Sequence, residues 1–297
     1  MRTPVGFMPS FFNRRALPYW QSGILVLLAA WLYAPLVLRL AQQWWQDPNY
    51  THGFFVPVFS LFLLWEGRER LAALRVKPSW WGLVILVLAL MALILGTITS
   101  GFFLARVSLL LLICGGVIFL AGWEHLAAIS FPLAFLVLMI PSSILVDQIT
   151  FPLQILASKT ATFLLTAVGV SAVREGNIIL LPTARLEVAE ACSGIRSLFS
   201  LITLTVIYGY LTETKAGVRA LLALIAIPVS ILANAVRIAV TGLVVHYWGL
   251  EGAQGTLHML SGWLIFAGSL LLIFLLHRLS RIFLSAEHVC VEQEEYA

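Results

Sequence analysis

The chain has 297 residues, of which 61% are hydrophobic and only 11% charged. A soluble domain carries about 25% charged residues, so this chain lacks the polar surface to cover a water-soluble globule of its size. Its net charge of +4 does not mark a nucleic-acid binder, because the basic residues collect at the ends of apolar runs, as topology signals do in membrane proteins. Several of those runs reach the ~20 residues needed to cross a hydrocarbon core, whereas an outer-membrane barrel would show alternating segments of ~10 residues. The expected fold class is an all-α polytopic membrane protein, in one integral domain over residues 1–297.

In chain order, Arg2, Arg14 and Arg15 precede a first apolar run that is too long for a signal-peptide core and has no prompt cleavage site. It reads as a retained span, with 1–20 as a cytoplasmic N-terminal segment. Spans are expected near Ser22–Leu40, Phe54–Trp65, Trp81–Ile98, Phe102–Ala121, Leu126–Ile140, Ala191–Leu211, Val218–Val245 and His258–Leu276, about eight transmembrane helices in all. Residues 278–297 form a cytoplasmic tail. The segment Phe151–Val170 is long enough to span, but Gln154, Ser158, Lys159, Thr160 and Thr162 interrupt it, and a central lysine is expensive in lipid. It is expected at the interface or packed against the bundle. After it, "VREGNIILLPTARLEVAE" holds β-branched residues around Pro182-Thr183 and predicts a small extracytoplasmic β-hairpin before the cysteine-bearing helix.

Counting basic residues orients the chain. With the N-terminus inside, Arg68, Arg70, Arg75, Lys77, Lys215, Arg219, Arg278 and Arg281 are also inside, against Arg39, Arg106, Lys159, Arg174 and Arg185 outside. This puts Cys192, Arg237 and His258, far apart in sequence, on one outer face.

Each has a chemical reading beside a plain one. Cys192, in "VAEACSGIRS", falls where a helix begins, and a helix N-terminus lowers a thiol pKa; the alternative is a buried small hydrophobe. Arg237, in "PVSILANAVRIAV", is a costly intramembrane charge and so a functional candidate; otherwise it snorkels to headgroups. Asn234, one turn earlier, could hold its guanidinium. His258, in "GTLHMLSGW", titrates near neutrality and suits a general base, or is an interfacial histidine. Arg196, at i+4 from Cys192 on a continuous helix, competes with Arg237 for the charge-stabilising role. Glu187 and Glu190 could orient a base or an arginine, or more simply be hairpin charges, and His52, with Gly53, could line the same site. The other histidines, His277 among them, look bland. The Trp44-Trp45 and Trp80-Trp81 pairs match aromatic belts. No metal cluster, P-loop or GxSxG elbow is present, and no carboxylate chain suggests a proton-driven pump.

At these residues the sequence resembles the exosortases and their archaeal relatives, the archaeosortases. The resemblance runs from "YTHGFFVPVFSLFLLW" through "GNIILLP…LEVAEACSGIRSLFSL" and "IPVSILANAVRI" to "LHMLSGWLIF". The "EACSGIRS" core, the "PxxxxANxxRI" core and the late His-x3-Gly are specific together. The chain ends soon after its last span, without the extra C-terminal domain of some relatives. The resemblance implies a membrane-embedded cysteine protease or transpeptidase of the bacterial inner membrane, its site facing the periplasm. Its substrates would be exported proteins whose C-terminal sorting signal has a motif of the Pro-Glu-Pro type (PEP-CTERM), a transmembrane helix and a basic tail. The cleaved protein would pass to an unknown surface acceptor, in a setting of exopolysaccharide production. By motif, the nucleophile would be Cys192, the arginine Arg237 and the histidine His258, and no metal or organic cofactor is expected. Two other readings stay open: a polysaccharide transport or assembly subunit, which needs no thiol at Cys192, and a non-catalytic binder of sorting-signal helices.

Overall fold

The structure is a computed structural model describing residues 19–99, 102–188, 194–252 and 256–295. It divides into two compact units, Met1–Gln46 with Gly53–Pro141, and Asp47–His52 with Ser142–Ala297.

The first unit holds α1 (Tyr19–Gln46), α2 (Phe55–Glu66), α3 (Arg68–Ala73), α4 (Trp81–Ile98), α5 (Phe102–Leu120), α6 (Trp123–Ala128) and α7 (Ser130–Phe135). Its tightest packing is between α4 and α5. Gly82, Ala89, Ala92 and Gly96 are buried along α4, and a Cβ on Gly82 would strike the backbone of Phe119, one on Gly96 that of Ala105. The start of α4 therefore meets the end of α5, and small residues let the two backbones approach. Backbone carbonyls left open at helix ends are taken up by long-range side chains. The Trp44 indole donates to Met139 O at 2.9 Å and Ser60 Oγ to Pro132 O at 3.0 Å. Arg106 donates to Pro141 O and to Gln43 Oε1, both at 2.6 Å.

The second unit holds α8 (Ser143–Ala167), three short strands β1 (Val173–Glu175), β2 (Ile178–Leu180) and β3 (Arg185–Glu187), then α9 (Ile195–Thr212), α10 (Ala216–Gly252) and α11 (Thr256–Glu295). The strands form an antiparallel sheet in the order β1-β2-β3. Its core side packs on α8 and α10 through Ala157, Ala161, Leu165, Ile179, Val188, Ile238 and Val245. A second apolar cluster joins Leu201 of α9, Leu222, Ala226 and Val229 of α10 and Ile273 of α11.

Among the described residues six helices are long and apolar enough to cross a membrane: Gly23–Gln46, Trp81–Ile98, Phe103–Leu120, Ile195–Thr212, Ala216–Gly249 and Leu260–Arg281. They present large apolar side chains outward, such as Leu27, Trp31, Leu38, Leu224 and Leu264, which hydrocarbon accepts and water does not. The chain is an all-α polytopic membrane protein with a small sheet.

The expected count of eight is corrected. Phe54–Trp65 forms a helix of 12 residues, closed at Gly67, whose N–H turns back to Leu63 O. Leu126–Ile140 breaks into α6, α7 and a 3-10 turn at Leu136–Met139. Proline at 132 and 141 removes helical donors on either side of that turn.

The expected hairpin is also larger than the sequence suggested. The Pro182-Thr183 turn does join β2 to β3, but a further strand is joined through Gly176-Asn177, with Gly176 at φ 63°. A two-residue loop with positive φ at its first position suits strand twist. The polar interruptions of Phe151–Val170 have a local cause. The helix starts earlier than expected, at Ser143, and packs on α10, where Gly242 approaches Leu165. Ser158 is buried and donates to Gly176 O at 3.1 Å, tying the helix to the sheet, while Lys159 on the other side is exposed.

Candidate functional site

Gly194 forms the N-cap of α9, at φ 79° and ψ 0° in the left-handed region. An L-residue pays roughly 1–2 kcal/mol for that conformation, and glycine does not. Its carbonyl accepts from Leu198 N at 2.9 Å and from Ser197 Oγ at 2.8 Å, which closes the first turn. Space excludes a larger residue as strongly as φ does. A Cβ at 194 would stand 2.8 Å from Asn234 Cγ and 2.9 Å from its Cβ and Nδ2. The start of α9 thus rests directly on α10.

The α10 face that receives it is polar although it lies within a span. Ser230 and Asn234, one turn apart, are 2% and 4% exposed, and Ser197 Oγ approaches Ser230 Oγ at 3.5 Å. Arg237 follows three residues later, half-buried, its Nη1 3.7 Å from where a Cβ on Gly262 would stand. Gly262 is in α11 one turn after His258, so both positions share a helical face. Gly194 thus packs on Asn234, and Arg237, three residues further along α10, lies beside Gly262 of α11.

Two clefts flank these contacts. One, a small one, is lined by Leu153, Ala157, Gly194, Leu198, Ser230, Ile231 and Asn234. The other lies between α9, α10 and α11, with Leu201, Ala233, Ile265 and Phe266 beside Ser197, Ser230, Asn234, Gly262, Ser269 and, as the one charged side chain in its lining, Arg237.

The remaining sequence candidates fall as follows. Cys192 and Glu190 lie outside the described residues, as does the side chain of His258, whose backbone is the first turn of α11. Arg196 is exposed and lines neither cleft. Its expected i,i+4 relation to Cys192 lies outside the described residues; α9 starts at Ile195, capped by the left-handed Gly194. Glu187 is exposed on β3. His52 is 5% exposed and stacks on Phe199, one turn into α9, with ring centroids 5.8 Å apart at 15°. Sequence reasoning passed over Ser197, Ser230 and Ser269. Their signal was serine recurring on apolar helices, which the single-residue reading treats as filler.

Fold and site define the class first: a polytopic membrane protein with an intramembrane arginine beside a sheet-to-helix junction. Residues 44–275 match the family described as transmembrane exosortase. That is most of the chain, and the chain belongs to the transmembrane exosortase family. No curated protein and no solved structure matches it.

Proposed function

We propose that the protein is a membrane-embedded cysteine peptidase or transpeptidase, with Cys192 as nucleophile, His258 as general base and acid, and Arg237 as charge stabiliser. One observation carries the reading. Gly194, two residues after Cys192, packs on Asn234, one turn before Arg237, while Arg237 reaches Gly262, one turn after His258. These neighbours of the three residues, and membership of the exosortase family, support assigning Cys192, Arg237 and His258, 45 and 21 positions apart, to one site.

In this reading His258 takes the Cys192 proton and the sulfur attacks the scissile carbonyl carbon. Arg237 stabilises the oxyanion, worth ~3–4 kcal/mol by analogy with other oxyanion donors. The C–N bond breaks, the proton passes from His258 to the leaving amine, and a thioester remains. Water or an acceptor amine then attacks it and restores the thiol. Arg196 and Glu190 are left with supporting roles at most, and His52 holds the second turn of α9.

The substrates are exported proteins with a C-terminal sorting signal of the PEP-CTERM type, and the surface acceptor is linked to exopolysaccharide assembly. Lys215 and Arg219 around the start of α10, with Arg278 and Arg281 late in α11, support an inner-membrane setting with the sheet and site at the periplasmic face and, over six spans, both termini cytoplasmic. The family match runs across both compact units, which supports one integral domain over 1–297.

The test is a processing assay in host membranes. A tagged protein ending in a sorting signal is co-expressed with wild type, Cys192→Ala, Arg237→Ala or His258→Ala at equal enzyme levels. A shortened product with wild type and none with Cys192→Ala is expected. Equal processing by wild type and Cys192→Ala would overturn the mechanism in favour of a transport or scaffold role.

A further inference from the structure

We infer that Asn234 is a positioning residue that acts on the cysteine-bearing segment: it seats residue 194, and with it the chain leading to Cys192, on the α10 face that carries Arg237. The inference rests on the cysteine-peptidase reading above and assigns Asn234 a task different from holding the guanidinium.

The geometry is specific. The Asn234 side chain meets Gly194 with three atoms, Cβ, Cγ and Nδ2, each within 2.9 Å of the space a Cβ would take. No residue other than glycine allows such an approach, and Gly194 is left-handed besides. Asn234 is 4% exposed, so its carboxamide is a packed wall between the two clefts, both of which it lines. From this wall one helical turn leads to Arg237 and no intervening loop can relax the spacing. A helix face therefore sets the separation between residue 194 and Arg237, and a misplacement of about 1 Å in a catalytic constellation costs on the order of 10²-fold in rate.

A double-mutant cycle isolates the contact. Gly194→Ala and Asn234→Gly are made singly and together in the full-length protein, purified in detergent, with cleavage of a labelled sorting-signal substrate as readout. The strain of a left-handed alanine is the same in both backgrounds and cancels. Gly194→Ala is expected to cost at least ~10-fold more in the wild-type background than in the Asn234→Gly background. Equal cost in both would overturn the proposal and return Asn234 to the guanidinium.

Alkylation of Cys192 by a maleimide, followed by mass spectrometry across pH, needs no substrate. It therefore separates failure of this inference from failure of the peptidase reading. Asn234→Ala is expected to move the half-maximal pH upward by about one unit as the thiol leaves the cation's influence, with unchanged protein yield and elution profile. An unchanged profile would overturn the proposal even if Gly194→Ala fails to accumulate.

Discussion

His277 Nε2 meets Glu213 Oε1 at 2.9 Å, and its Nδ1 meets Tyr208 Oη at 2.8 Å. The set joins the end of α9 to α11 at the opposite end of α9 from Gly194. The imidazole bridges the two, one ring nitrogen facing the carboxylate and the other the phenol. Arg219 Nε donates to Glu213 O at 2.7 Å, and Arg281 stands 3.8 Å from the carboxylate. His277, bland by sequence, is 4% exposed and is the clasp between two helices that carry the proposed chemistry at their other ends.

Removing the ring leaves a partly buried carboxylate and a phenol to find new partners. His277→Ala should cost about 2–3 kcal/mol, seen as a lower Tm of the detergent-solubilised protein. Glu213→Gln, which keeps an acceptor for the ring, should cost less.

Gly262 separates contact from obstruction. A Cβ there would stand 3.7 Å from Arg237 Nη1, an ordinary contact distance, so Gly262→Ala should process substrate at close to the wild-type rate. Gly262→Leu fills the cleft in front of the guanidinium and should slow processing by ~10–100-fold with normal membrane levels. Equal rates for the two variants would remove Gly262 from the site.

The α4–α5 contact should be intolerant of bulk. Gly96→Val forces its side chain into the Ala105 backbone and should cost about 1–3 kcal/mol by overpacking. Gly116 has nothing within 4 Å of an added Cβ, and Gly116→Ala should be neutral or slightly stabilising. Thermal unfolding of the two variants side by side checks the contrast.

Ser158→Ala should cost about 1 kcal/mol through the bond to Gly176 O, and Ser158→Leu more, because the site is fully buried. Protease nicking within 173–187, followed over time, reads the loosening of the sheet from α8.

Hydropathy and basic flanks made the membrane class, and Trp81–Ile98 to the residue, legible in the sequence. Hydropathy overcounted at Phe54–Trp65, an apolar run too short to span, and where Pro132 and Pro141 cut a longer run into short helices, since an average over a window is blind to a missing donor. The Gly-Asn turn before β2 was available as a hairpin signal but was obscured by the stronger Pro-Thr turn. Motif spacing selected Arg237 and the His258–Gly262 turn. The approach of Asn234 to Gly194 was not legible, because it depends on how α9 crosses α10, and neither residue encodes that crossing. The Tyr208–His277–Glu213 clasp was missed for the same reason: its members are 69 and 64 positions apart and meet only in the packed bundle.

The two clefts give a rule for anyone diversifying the proposed site. Position 194 has no room for variation, so a combinatorial library that randomises it would consist mostly of dead clones. The first cleft offers apolar wall positions away from the guanidinium, Leu153, Ala157, Leu198 and Ile231, and diversity spent there would reshape the surface beside the junction while leaving the Arg237 register untouched.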